Sequence, residues 1–235
     1  VTIHNQSGAT YTDARIKLMA GDVHRADEPP TLGLRMKEKE LLQQRGRASD
    51  GFQEKSFAEY HLYTLGRPAT VKQNETKQIE LMGATDVASR KIYRYDAAID
   101  AKKVRVMLAL KNDKASRLGM PLPAGKVRVY KMDEADGSLE FIGEDRIDHT
   151  PKDEKIELYV GNAFDIVGEQ TLTNNKQFGN HRWASVKVSV RNHKDVPVTV
   201  EVMGHPGAWG NWEIEKNSDA FEKKDAGTVV FKVEV

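Results

Sequence analysis

The stretch GEDRIDHTPKDEKIELYVGNAFDI, Gly143 to Ile166, gathers Glu144, Asp145, Asp148, His149, Asp153 and Glu154 into one short run. Carboxylates beside an imidazole are the groups that ligate a divalent metal or move a proton in general acid–base chemistry. The spacing argues against both. Asp148 and His149 are adjacent, so in a strand they point to opposite faces. A calcium loop needs oxygen donors at fixed alternate positions and a closing bidentate Glu, and that register is missing. Thr150-Pro151 bars helix before the proline. The run therefore reads as an exposed turn, with Asp148 or Thr150 fixing it through a side-chain oxygen and His149 structural. Just upstream, DEADG joins two alternating runs, and Asp136-Gly137 supplies the left-handed position of a short hairpin turn.

Other candidate chemistry is equally sparse. The seven His residues form no HxH or HExxH spacing. The chain has no Cys, which removes disulfides, thiolate catalysis and Cys-ligated zinc. Ser7, Ser56, Ser89 and Ser185 lack the strand–turn–helix elbow of a serine hydrolase. The sequence thus names no catalytic residue, no metal site and no cofactor. Its most ligand-like segment is GHPGAWGNWEI, where His205, Trp209 and Trp212 sit among three glycines. Aromatic rings on a bent loop offer a flat face to a sugar or an apolar partner. Against that stands a structural role, Trp212 opening a strand and plugging the end of a sheet, as most Trp residues are highly buried.

The elements that would position these residues are strands. Period-2 alternation recurs in ARIKLM, FAEYHLYTL, TKQIELM, RKIYRY, KVRVMLAL, KVRVYKM, EKIELYVG, SVKVSVRN, VPVTVEVM, NWEIEK and TVVFKVEV, separated by Asn, Asp, Gly and Pro. This predicts an all-β fold of two packed β-sandwich, immunoglobulin-like regions, 1–100 and 101–235. Three strands end alike, at His4-Asn5, Lys111-Asn112 and Arg191-Asn192. They are either unrelated strand ends, which Asn makes cheaply, or the mark of repeated modules. The exception to β is 29–56, a charged stretch interrupted by glycines, which reads as a mobile insertion with one short helix at 34–45. A partner-binding helix is the sharper alternative. A second break, Asn112 to Gly125, reads as a crossing loop.

Composition bounds the partners. Lys+Arg at 36 against Asp+Glu at 35 leaves a net charge of +1, without the basic stripe that nucleic-acid binding requires. No apolar run approaches the about 20 residues of a membrane span. The chain starts directly in the alternating VTIHN, so the expectation is that it begins inside a longer precursor and presents an edge strand open to self-association.

The phrases NQSGATYTDARIKLMAGDVHR, EYHLYTLGRPATVKQNETKQIELM, LPAGKVRVYKMDEADGSLEFIGEDRIDHTPKDEKIELYVGNAFDIVGE and VSVRNHKDVPVTVEV, in this order, cover almost the whole chain. Together they resemble the conserved C-terminal domain of unknown function of bacterial proteins related to the mucoidy-inhibitor-A-like group. The resemblance implies an exported, periplasmic or extracellular protein with further strands before this domain, and supplies no mechanism. The longer GHPGAWGNW departs from the family's pattern. The resulting expectation is a non-catalytic cell-envelope binding or assembly module, with an envelope protein or polysaccharide as partner. The alternatives are a carbohydrate-binding module for envelope polysaccharide and, third, a hydrolase with an unrecognised site.

Overall fold

The computed structural model describes residues 1–21, 52–57, 60–209 and 211–235. The fold is all-β, in several sheets. The first half carries β1 (Thr2–His4), β2 (Tyr11–Ala14), β3 (Lys17–Ala20), β4 (Phe52–Phe57), β5 (Tyr60–Leu65), β6 (Ala69–Val71) and β7 (Thr76–Gln78). Then follow β8 (Ser89–Tyr95), β9 (Lys103–Lys111), β10 (Gly125–Met132), β11 (Leu139–Ile147), β12 (Lys155–Phe178) and β13 (His181–Asn192). β14 (Thr199–Gly204), a 3-10 turn at Pro206–Trp209, β15 (Phe221–Lys223) and β16 (Val229–Glu234) complete it. The predicted insertion at 29–56 lies outside the described residues, except that 52–56 belong to β4, paired along β5. Among the described residues no helix is long and apolar enough to cross a membrane.

The organising element is a seven-stranded sheet in the order β13-β12-β9-β8-β14-β16-β15, antiparallel except for β14 beside β8. The division expected after residue 100 falls in the turn between β8 and β9, which pair along their length within this sheet. Alternation sorts its side chains. Tyr93, Tyr95, Val104, Val200 and Val202 share one face and, with Ile166, form the main core. Further along that face Ile156, Leu158 and Leu122 make a second core, covered by Val127, Val129 and Ile147 of the β10–β11 hairpin. A third core, around Tyr63 and Leu65, holds the N-terminal strands. The Tyr63 hydroxyl donates to the Pro121 carbonyl at 2.8 Å, tying this region to the crossing loop. Burial, with Glu54 nearby, pushes that phenol up to about 12.

The three Asn strand ends are built alike. Asn5 Nδ2 donates to the carbonyls of Ala9, Val71 and Lys72, and its Oδ1 accepts the Ser7 N–H. Asn112, fully buried, donates to Met120 and Pro151 and accepts from Gly119. Asn192 donates to Val196 and Val235 and accepts from Lys194. Each amide closes its own loop and staples a distant segment, satisfying carbonyls that the strand end leaves unpaired.

One expected strand does not form. Residues 211–216, NWEIEK, make no ladder. Side chains hold this segment instead: the Trp212 indole donates to the Ala226 carbonyl and Glu215 accepts from the Trp183 indole. TKQIELM is cut short as well, its strand ending at Gln78.

Candidate functional site

The acidic run at 144–154 is spread over a strand end and two turns. Glu144 lies between Lys126 and Arg128 at 2.7 and 3.3 Å, and Lys126 above all holds its carboxyl below the usual range. Asp145 accepts the Tyr159 backbone N–H at 2.7 Å. The Thr150 hydroxyl donates to the Asp148 carbonyl, and His149 Nδ1 accepts the Ala124 N–H. Asp153 occupies a left-handed position, φ 68, and its N–H donates to the Asn112 carbonyl. These side chains face different partners, and among the described residues no three His, Asp or Glu groups converge on a metal position. In the hairpin turn Gly137 sits at φ 74, and Asp136 accepts the Ser138 N–H, which lowers its carboxyl.

His205 meets Asp96: its Nε2 lies 3.0 Å from both carboxylate oxygens. Asp96 is buried and also accepts the Ala98 N–H, so it is anchored in the turn after β8. The pair borders a shallow basin of about 250 Å³ lined also by Arg94, Arg105, Met203 and Lys224. An Asp–His pair can orient a general base, but acyl transfer needs a hydroxyl on the other ring nitrogen. Among the described residues Asp96 is the only hydrogen-bond partner His205 has. Two of the basin's three cations are engaged. Arg94 forks between Glu157 and Glu201 at 2.6 and 2.8 Å, and Arg105 lies over the Tyr159 ring at 4.7 Å.

Trp212 has contacts of its own. Lys223 sits 4.6 Å over its ring, and its indole edge closes over Gly207, which abuts Gly227 so closely that a Cβ would lie 2.3 Å from the facing α-carbon. The side chain of Trp209 lies outside what the structure describes. His205, Trp209 and Trp212 thus share a loop, while the contacts of His205 and Trp212 diverge.

Among the described residues, exposed large apolar side chains gather on two hairpins elsewhere. β12 runs for 24 residues, past the end of β9, and pairs with β13 to its tip. Beyond Gln170 this ribbon is exposed on both faces, and it displays Leu172, Phe178, Trp183 and Val186. Phe178, next to the turn, is 81% exposed. The turn follows from sequence: Gly179-Asn180 joins the paired Phe178 and His181, and Gly179 at φ 58 takes the first central position of a two-residue hairpin loop. The distal half of β10–β11 carries the second surface. Alternation sets Tyr130 and Met132 opposite the core-facing Val127 and Val129, and a bulge at Ile142 in β11 brings Phe141 and Leu139 across from them; all four are more than half exposed, with Tyr130 and Phe141 in edge contact at 5.7 Å. Sequence reasoning missed both surfaces. The Gly-Asn turn and the absence of any Asp or Glu from Gln170 to Lys194 were the legible signals for the first.

Comparison with family models, curated proteins and solved structures finds no match for this chain.

Proposed function

We propose that the chain is a non-catalytic binding or assembly module of the bacterial cell envelope. The observation that carries the reading is the β12–β13 arm. A two-stranded ribbon wet on both faces is at best marginally stable alone, and contiguous apolar display on a projecting element marks an interaction surface. The compartment rests on the resemblance of the quoted phrases to exported bacterial proteins. The Asp96–His205 pair serves this reading as a tie between the β8 turn and the strand end at Gly204.

The test is photo-crosslinking in the native envelope with a reactive group at Phe178, compared with a chain whose arm is shortened by closing Gln170 to Val188 with a Gly-Asn turn. Complexes formed by the full arm and lost on shortening support the reading. Complexes unchanged by shortening, or turnover of envelope glycan or peptide by the purified chain, overturn it.

A further inference from the structure

The two exposed hairpins carry opposite charge. In the distal β10–β11 hairpin, residues 130–141 hold Asp133, Glu134, Asp136 and Glu140 against the single cation Lys131. In the β12–β13 arm, residues 170–187 hold Lys176, Arg182 and Lys187 and no carboxylate. The chain as a whole is balanced at +1, so this is a local separation of sign within one molecule. None of the four hairpin carboxylates, nor Lys176 or Lys187, forms an ion pair among the described residues.

Each charged hairpin also bears an apolar ladder. Tyr130 faces Phe141 and Met132 faces Leu139 on the acidic one, while Leu172 faces Val186 on the basic one. Within a molecule they do not pair, since β10 bonds only β11 and β13 bonds only β12. From this we infer that the arm of one copy docks on the acidic hairpin of a second copy, resting on the assembly reading above and naming its partner. Apolar ladders supply the buried centre and the charges set the register and the choice of partner. Arm against arm, or hairpin against hairpin, opposes like charges and is disfavoured. The contact uses two different patches, so it closes into a dimer only if both copies reciprocate, and otherwise propagates.

Charge-swapped variants test this by sedimentation. Lys176→Glu with Lys187→Glu makes an acidic arm, and Asp133→Lys with Glu134→Lys makes a basic hairpin. All four positions are exposed, and unchanged thermal melts verify folding. The wild-type chain is expected to self-associate, with a dissociation constant rising about tenfold or more from low to high salt as the charges are screened. Each variant alone is expected to sediment as a monomer, and an equimolar mixture of the two to associate again. A monomeric wild type, or a mixture that stays monomeric, overturns the inference. Association that survives both swaps overturns it too, by assigning the contact to another surface. Arm-dependent crosslinks to other envelope components, alongside a monomeric wild type, remove this inference and leave the assembly reading standing.

Discussion

The ring of Tyr95 lies on the α-carbon of Gly168: a Cβ built there would sit 2.2 Å from Tyr95 Cδ2. Tyr95 is wholly buried, and its hydroxyl donates to the Ala101 carbonyl at 2.8 Å. Gly168 N–H in turn bonds the Lys102 carbonyl, so neither partner is free to withdraw. Gly168→Ala is therefore expected to cost at least about 1–3 kcal/mol, the range for overpacking a core. Tyr95→Phe, which loses one part-buried hydrogen bond, is expected to cost about 1 kcal/mol. Urea unfolding of both variants measures the order, and a neutral Gly168→Ala would show that the ring is not held.

The Asn clamps differ in burial, and their substitution costs are expected to follow it. Asn112 is fully buried and staples two segments, so Asn112→Ala strands the Met120 and Pro151 carbonyls, at about 1–3 kcal/mol for each group left unsatisfied. Asn112→Asp is expected to be worse, since it aims a carboxylate at two carbonyl oxygens in a dry site. Asn192, less enclosed, is expected to cost less than Asn112 in the same thermal-melt series. An Asn112→Asp chain as stable as wild type would sink the clamp.

Acid should attack the Arg94 centre. The Arg94 guanidinium, through its hydrogen bond first, holds the Glu157 carboxyl below its ordinary value. A carboxyl depressed on folding contributes stability that is present above its unfolded pKa, about 4.3, and lost as pH falls through the folded value. Wild-type stability is therefore expected to decline below about pH 5, and the decline should be shallower in Arg94→Met. At neutral pH that variant is less stable because Glu201, largely buried, loses its partner, and Glu201→Gln in the same chain should recover part of the loss. Denaturant titrations from pH 3 to 7 check both signs, and equal pH slopes for wild type and Arg94→Met would refute the account.

His149 tests the chemistry of the acidic run. Its ring accepts one exposed backbone N–H, from Ala124. His149→Ala is expected to change stability by about 1 kcal/mol or less, as for a surface position. Metal analysis of the two purified chains completes the measurement: stoichiometric metal that vanishes in the variant would restore the site reading.

The sheets were legible because alternation is a local signal, and β8, β9, β10 and β16 lie where RKIYRY, KVRVMLAL, KVRVYKM and TVVFKVEV place them. Partner choice was not legible. Nothing in the run around Tyr95 announces that β14 lies parallel to β8 while β16 and β15 return antiparallel. The repeated basic-or-His–Asn ends were visible, yet their second bonds reach residues 39 to 67 positions away. NWEIEK alternates convincingly and still forms no strand, and side-chain bonds such as that from the Trp212 indole to the Ala226 carbonyl hold it instead. The arm stayed hidden because its outer half is rich in Asn, Gln and Thr, residues that signal loops when read one at a time.

Two glycines of the acidic hairpin separate conformation from packing. Gly137 holds a left-handed φ of 74 with open space around its missing Cβ, so Gly137→Ala meets backbone strain alone, about 1–2 kcal/mol. Gly143 is different. Its Cβ would lie 2.5 Å from the Val160 carbonyl oxygen and 2.8 Å from its α-carbon, where β11 crosses the backbone of β12. Backbone in a paired strand cannot swing aside as a side-chain end does, so Gly143→Ala must lift the hairpin off the sheet. The expected result is loss of amide-exchange protection across β10 and β11 and around Leu158, with β8 and β16 unchanged, whereas Gly137→Ala loosens only the turn. Exchange measured on both variants decides it: equal protection in β10 and β11 of the two chains would mean that the hairpin does not bear on β12 through Gly143.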